Sequence, residues 1–426
     1  MQTIAFSGMV RAMIRSVRAH AMMAVLAAMA LWAFALPVPA FAQHPSVPTL
    51  RPPVAALLQS AQAQLAAGKP QEAMAALRDL ERKVPDTSAY ERYIALRVRA
   101  AVMVALGDEA AAAADTEAAL AAQLATPEDR LAMWAQLSAF ATKLNRPEAA
   151  LQWATAYVQA GGQDDAVRAA LVRAALALGQ CKPVVEQLAV LVAKAERQGH
   201  KPPEAQLRAA AACQAKLSDD DGYYRALERL LQHYPSKAYW ADAIARLQRR
   251  TGFHDRLLLD TFRLMRHVGV LQDPDDLMST AQLAVQASLP GEAKVVLQAG
   301  FEAGILGKGP GASAQQALLA RAQKLAQADA AQFEEALAQA QRQSDGRQLF
   351  LLGQAAVFEG QQERGVRLME TALERGLARH PDDARLRLAV GLAAVGRRAD
   401  ALRLFSAMPE RDGLADLARL WLLALR

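Results

Sequence analysis

Two cysteines in 426 residues, aromatics at only 5% and no run of alternating β-branched residues exclude several classes at once. A small cysteine-stapled scaffold needs more thiols than this. A sheet protein needs period-two stretches, and none is visible. Outside the first 42 residues the histidines are His44, His200, His233, His254, His267 and His380. None stands three or four residues from another or beside a Cys, so metal-ligand spacing is missing. No GxSxG elbow occurs. The acidic pairs Glu334-Glu335 and Asp382-Asp383 sit at helix starts or on solvated faces. The glycine-rich segment GILGKGPG at 304–311 fails as a phosphate loop. Glu302 stands where the first Gly belongs, Gly309 replaces the Ser or Thr, and no strand precedes it. It reads as a flexible loop between units. The expectation is a non-enzyme with no catalytic residues, no metal, no cofactor and no small-molecule substrate.

A long apolar run is also scarce after the first 42 residues. Those residues carry Arg11, Arg15 and Arg18, an uncharged stretch from Ala21 to Leu36, then Pro37, Pro39 and Ala40-Phe41-Ala42. That is the plan of a secretory signal peptide, with Gln43 as the new N-terminus. The alternative is an uncleaved anchor, but the apolar run is short of the roughly 20 residues a span requires. The expected address is across the inner membrane, in the periplasm, with no membrane span after cleavage. The formal charge of +6 includes the three leader arginines. Without them the chain is nearly balanced, so a nucleic-acid partner gains no support.

What is present is a repeated hairpin pattern. In Leu349 to Ala372, Gly353 is followed by Gly360 seven residues on, Gly365 five later, Met369 four later and Ala372 three later. The apolar positions on either side recur at three and four, so the spacing predicts a helix, a Gly turn and a second helix. The same spacing recurs along the chain, with Ala73, Ala112, Ala149, Val184, Tyr223, Ala293, Gly365 and Ala401 opening the second helices. Successive markers are 35 to 39 residues apart, or twice that, which places two weaker units near 258 and 329. One hairpin cannot bury its own apolar face, so such units must stack.

The pattern at Gly353, Gly360, Gly365, Met369 and Ala372 resembles the tetratricopeptide repeat. The resemblance covers roughly residues 53 to 410. It implies an all-α, right-handed α-solenoid of about ten helix-turn-helix repeats. The expected layout is a leader at 1–42, an extended Pro-rich lead-in at 43–52, repeats at 53–235, aromatic-rich irregular repeats at 236–310, and repeats with a capping helix at 311–426. Cys181 opens a second helix and Cys213 ends the next first helix. Consecutive helices of such a stack run antiparallel, so these ends should meet. A disulfide closing this loop would contribute on the order of 3 kcal/mol; the alternative is two buried free thiols.

The resemblance also implies a concave groove lined by the first helix of each unit. Its positions would include Arg97, Ala101, Trp134, Ser138, Arg173, Arg208, Gln282, Phe350 and Gln354. The stretch from Tyr223 to Phe262 concentrates aromatics, with Tyr239 and Trp240 among them. It is either core filling wider gaps or an interface. The helix near Leu414–Leu425 either caps the stack or docks a partner. The expected function is a scaffold binding protein segments of an envelope complex. The segment from Tyr239-Trp240 to Gly304-Ile305-Leu306 is loosely similar to tetratricopeptide proteins that accompany TonB-type systems. The alternative is a protein that handles peptidoglycan or another cell-wall glycan.

Overall fold

The structure is a computed structural model that describes residues 49–377 and 379–426. The leader, its cleavage site and most of the lead-in lie outside these residues. All helices below belong to the compact unit Leu50–Arg426. Among the described residues every regular element is helical, and no helix is long and apolar enough to cross a membrane.

Five regular hairpins come first: α1 (Pro52–Ala66) with α2 (Pro70–Lys83), α3 (Ala89–Leu106) with α4 (Glu109–Ala121), α5 (Pro127–Lys143) with α6 (Pro147–Gln159), α7 (Asp165–Ala177) with α8 (Cys181–Arg197), and α9 (Glu204–Lys216) with α10 (Asp220–His233). An irregular pair follows, α11 (Lys237–Arg249) and α12 (Leu258–His267), joined by a loop and the 3-10 turn Asp255–Leu257. Then come α13 (Pro274–Gln286) with α14 (Pro290–Glu302), the single helix α15 (Ala312–Arg342), α16 (Arg347–Phe358) with α17 (Gln362–Arg375), α18 (Pro381–Ala394) with α19 (Arg398–Ser406), and α20 (Leu414–Ala424).

The turn position fixes each hairpin. Gly68, Gly107, Gly179, Gly360 and Gly396 all have positive φ, and Ser218 and Ser288 hold the same conformation at φ 56° and 61°. In the third unit the left-handed residue is Asn145, at φ 52°. In each case the following N–H reaches the carbonyl five residues back, as from Asp108 to Met103, Arg146 to Ala141 and Gln361 to Ala356. This is the paired-carbonyl closure that ends a helix on a left-handed residue. Caps then start the next helices. Thr126 accepts from the Asp129 N–H at 3.1 Å. Asp219 accepts from the Gly222 N–H at 2.8 Å, leaving Ser218 as the turn residue rather than the cap.

The hairpin of α16 and α17 shows why small residues recur. A Cβ on Gly353 would meet Met369 Cγ at 2.7 Å and the Gly365 carbonyl oxygen at 2.8 Å. The two backbones are in contact there, and Met369 and Ala372 fill the seam from below, both fully buried.

Two expectations are corrected. The weaker unit placed near 329 is not a hairpin. Residues 312–342 contain no Gly, Pro or Asn to make a turn, so α15 runs unbroken for 31 residues. It joins two cores: Ala322 packs with α13 and α14, while Phe333, Leu337 and Ala340 pack with α16 and α17. The segment 304–311 is pinned rather than loose. Leu306 is buried with α13 and α14, and the Gly307 N–H donates to Gln315 Oε1 at 2.7 Å.

The two halves of the stack differ in their cores. From α1 to α9 each interface has its own small apolar cluster. From Val192 to Trp421 one core runs through α8 to α20, outside the smaller cluster around α13 and α14. The last helix returns to the middle of the chain, packing on α10, α12 and α19. Leu417, Leu420 and Trp421 are buried, and Trp421 stacks on Phe405 with ring centroids 5.7 Å apart. The apolar face of α20 is therefore occupied within the chain.

Charged pairs close this return. Asp260 on α12 has no exposed surface and receives Arg263 Nη1 at 2.6 Å and Arg387 Nη2 from α18 at 3.0 Å. Arg263 also holds both oxygens of Glu292 on α14. Burial would raise the Asp260 carboxyl, but Arg387 and Arg263 outweigh it and hold it below the usual range. Arg256 reaches Asp383 at 2.8 Å and Asp412 at 2.9 Å.

Candidate functional site

In α3 the residues Ile94, Arg97, Val98, Ala101 and Val104 fall at helical spacing on one face. With Gln62, Leu65 and Ala66 of α1, and Met133, Gln136 and Phe140 of α5, they line a groove of about 630 Å³. Three successive first helices thus share one recess. Its apolar floor is open to solvent, with Val104 43% exposed. The Gln62 and Gln136 amides stand exposed at its edges. Arg97 is held in place by Asp129 at 2.9 Å and by the Tyr93 hydroxyl at 3.2 Å. Its guanidinium is thus partly neutralised, and what the groove offers is apolar surface edged by amides.

Of the other expected groove residues, Arg173, Arg208 and Gln282 are exposed on α7, α9 and α13. Arg173 has no ion pair among the described residues. Arg208 lies near Tyr239, whose hydroxyl donates to Glu204 at 2.6 Å. That bond raises the Tyr239 phenol above its usual range. Trp134 is half-buried against the cluster of α7 and α8. Trp240 and Phe350 are core side chains, so neither is a surface anchor. Both point from their helices into the shared core of the second half. Gln354 is also buried, beside a different cavity.

The aromatic stretch is internal as well. Tyr224 is buried. The Tyr223 hydroxyl donates to Asp242 at 2.5 Å, and the Tyr234 hydroxyl to the Pro202 carbonyl at 2.8 Å. Cys181 and Cys213 form a disulfide, with Cα atoms 4.9 Å apart, tying α8 to α9. Sequence reasoning missed Val104, Gln62 and Gln136. Continuing the face of Arg97 and Ala101 by three residues finds Val104; the amides on α1 and α5 required the neighbouring helices.

The geometry defines an all-α solenoid of stacked helical hairpins with an open recess at one end. Its repeat is tetratricopeptide-like: a left-handed turn residue, small residues at the helix crossing and a large residue filling beneath it. No family model matches the chain and no curated protein matches it. Among solved structures it is similar to a tetratricopeptide repeat protein from Parabacteroides merdae, at 11% identity over 80% of this chain and 99% of that one, with a TM-score of 0.31. It is similar to the Naa15/Naa10 assembly bound to HypK-THB, at 15% identity over 83% and 63%, with a TM-score of 0.29. It is also similar to yeast Tom70, at 10% identity over 87% and 95%, with a TM-score of 0.25. At TM-scores this low the likenesses add no weight, and the description of the fold rests on the repeat's own geometry.

Proposed function

We propose that the protein is a scaffold that holds a segment of another protein in the recess of α1, α3 and α5. The observation that carries this reading is the open apolar surface of Ala66, Ala101 and Val104 with half-buried Leu65 and Ile94, laid over buried Val98, Met133 and Phe140 and edged by Gln62 and Gln136. An extended segment laid there would bury apolar side chains on the floor. Its backbone would find amide partners at the rim, which is how grooves read peptides. The leader motif supports a periplasmic address for this activity, with a component of an envelope complex as the partner. A TonB-type energy-transduction system is the specific assembly the sequence resemblance suggests. The glycan-handling reading drew on aromatics as stacking platforms, and those of 223–262 are engaged in packing and hydrogen bonds instead.

The test compares proteins retained from a periplasmic extract by the wild type and by Val104→Glu. The variant places a charge on the floor at an exposed position, where folding tolerates it. Loss of a specific partner with an unchanged melting temperature supports the reading. The same set of proteins on both would overturn it.

A further inference from the structure

The closed half of the molecule surrounds a second cavity, of about 200 Å³, far smaller than the peptide groove. Its walls come from α12, α16, α17, α18 and α20. Its apolar lining is Val357, Phe358, Met369, Val390, Ala393 and Trp421. Its polar lining is Arg263, Arg266, His267, Gln354, Gln362 and Arg387.

The charges here do not balance locally. Behind the wall stand the carboxylates of Asp260 and Glu292. Every oxygen of both is taken by Arg263 or Arg387. Arg266 has no acidic partner among the described residues. Its guanidinium lies 5.5 Å from the centre of the Phe358 ring, which also receives Arg263 at 5.5 Å. A cation over an aromatic face is attracted to it, and the ring holds it in place. Arg387 spends Nε and Nη2 on Asp260, and its Nη1 makes no hydrogen bond among the described residues. The indole N–H of Trp421, itself 2% exposed, also has no acceptor. The unused polar capacity of this cavity is therefore weighted toward donors, with the Gln354 and Gln362 amides offering both kinds, and its one cation without an acidic partner, Arg266, is also open to solvent.

We infer that this cavity binds a small monocarboxylate with an apolar body, its carboxylate on Arg266 and Arg387 Nη1 and its hydrocarbon against Phe358, Met369 and Trp421. Guanidinium groups suit a carboxylate because their planar donors match its two oxygens. The size is limiting. The cavity measures about 200 Å³ against about 630 Å³ for the groove of α1, α3 and α5, which favours a short acid over a peptide. The lining comes from five helices drawn from both ends of the closed half, so occupancy would reinforce its closure.

The probe is isovalerate, titrated by calorimetry into the purified full chain, with isovaleramide and inorganic phosphate as controls. The expected result is saturable millimolar or tighter binding of isovalerate. Isovaleramide should bind at least about tenfold more weakly, a difference of about 1.4 kcal/mol. Inorganic phosphate should not compete, since it lacks the apolar body. Arg266→Gln, which removes a cation that pairs with no acid, should fold normally and weaken isovalerate at least about tenfold. Val390→Trp, which fills the cavity, should also abolish binding. Failure of isovalerate to bind at tens of millimolar would overturn the inference. So would equal affinity in Arg266→Gln, or equal binding of the amide. Because the groove of α1, α3 and α5 is untouched in these variants, their outcome is separable from that of the peptide-binding reading.

Discussion

Glu91 shows how much one side chain can hold. It lies at the third position of α3, 1% exposed. Its carboxylate accepts the Ser88 N–H at 2.8 Å while Ser88 Oγ accepts the Glu91 N–H, a reciprocal cap. Arg51 reaches the same carboxylate at 2.9 and 2.8 Å. Arg51 and the Ser88 amide push the Glu91 carboxyl down from 4.5 to about 2. A carboxyl depressed in the folded state contributes stability above its unfolded pKa and loses it as pH falls through the folded value. Glu91→Gln should therefore melt several degrees below wild type at pH 7, and the gap should close between about pH 5 and 2. Thermal melts of both proteins across that range check this; a gap independent of pH would contradict it.

A second residue-scale prediction concerns the turns. An L-residue in the left-handed region costs about 1–2 kcal/mol, while glycine adds about 0.4–1 kcal/mol of unfolded-chain entropy. Ser288→Gly, at φ 61°, should then stabilise by about 0.5–1 kcal/mol. Asn145→Gly should change less, because Asn tolerates that conformation. Equilibrium denaturation of the two variants decides whether turn conformation limits these units.

At the scale of elements, the spacing of small residues revealed the hairpins because the contacts it encodes are local. Gly353 meets Gly365 only twelve residues on, and the chain between them has no freedom to do otherwise. The single helix α15 was written in the sequence as an absence: nothing between Ala312 and Arg342 can turn. Counting periods alone put a hairpin there. The return of α18 and α20 to α12 was not legible. It depends on Asp260 meeting Arg387, and no local spacing marks a pair 127 residues apart. For the same reason Arg266 and Phe358 could not be grouped from sequence, Phe350 passed for a groove residue, and Trp240 stood between core and interface. Asp260→Ala would leave two largely buried guanidinium groups short of a partner, a loss of roughly 3–5 kcal/mol. Because units of a solenoid are coupled mainly to neighbours, the loss should fall on α11 to α20. Amide exchange should accelerate there while α1 to α6 keep their protection. Uniform acceleration would contradict this division.

The molecule as a whole combines an open stack with a closed one. In α1 to α9 each hairpin packs on the next, and the first helices leave apolar surface uncovered. In α10 to α20 the stack folds back, a continuous core forms, and buried ion pairs join its ends. On the proposed reading, partner binding falls to the open half. The most direct measurement is site-specific photocrosslinking in intact cells, followed by mass spectrometry. The photoreactive residue goes at Gln136 and Val104 in the groove, and at exposed Arg78 on the second helix of the first hairpin as a control. The account predicts crosslinks to the same protein segment from both groove positions and none from Arg78. No protein crosslink from the groove, or the same crosslinks from all three positions, would contradict it.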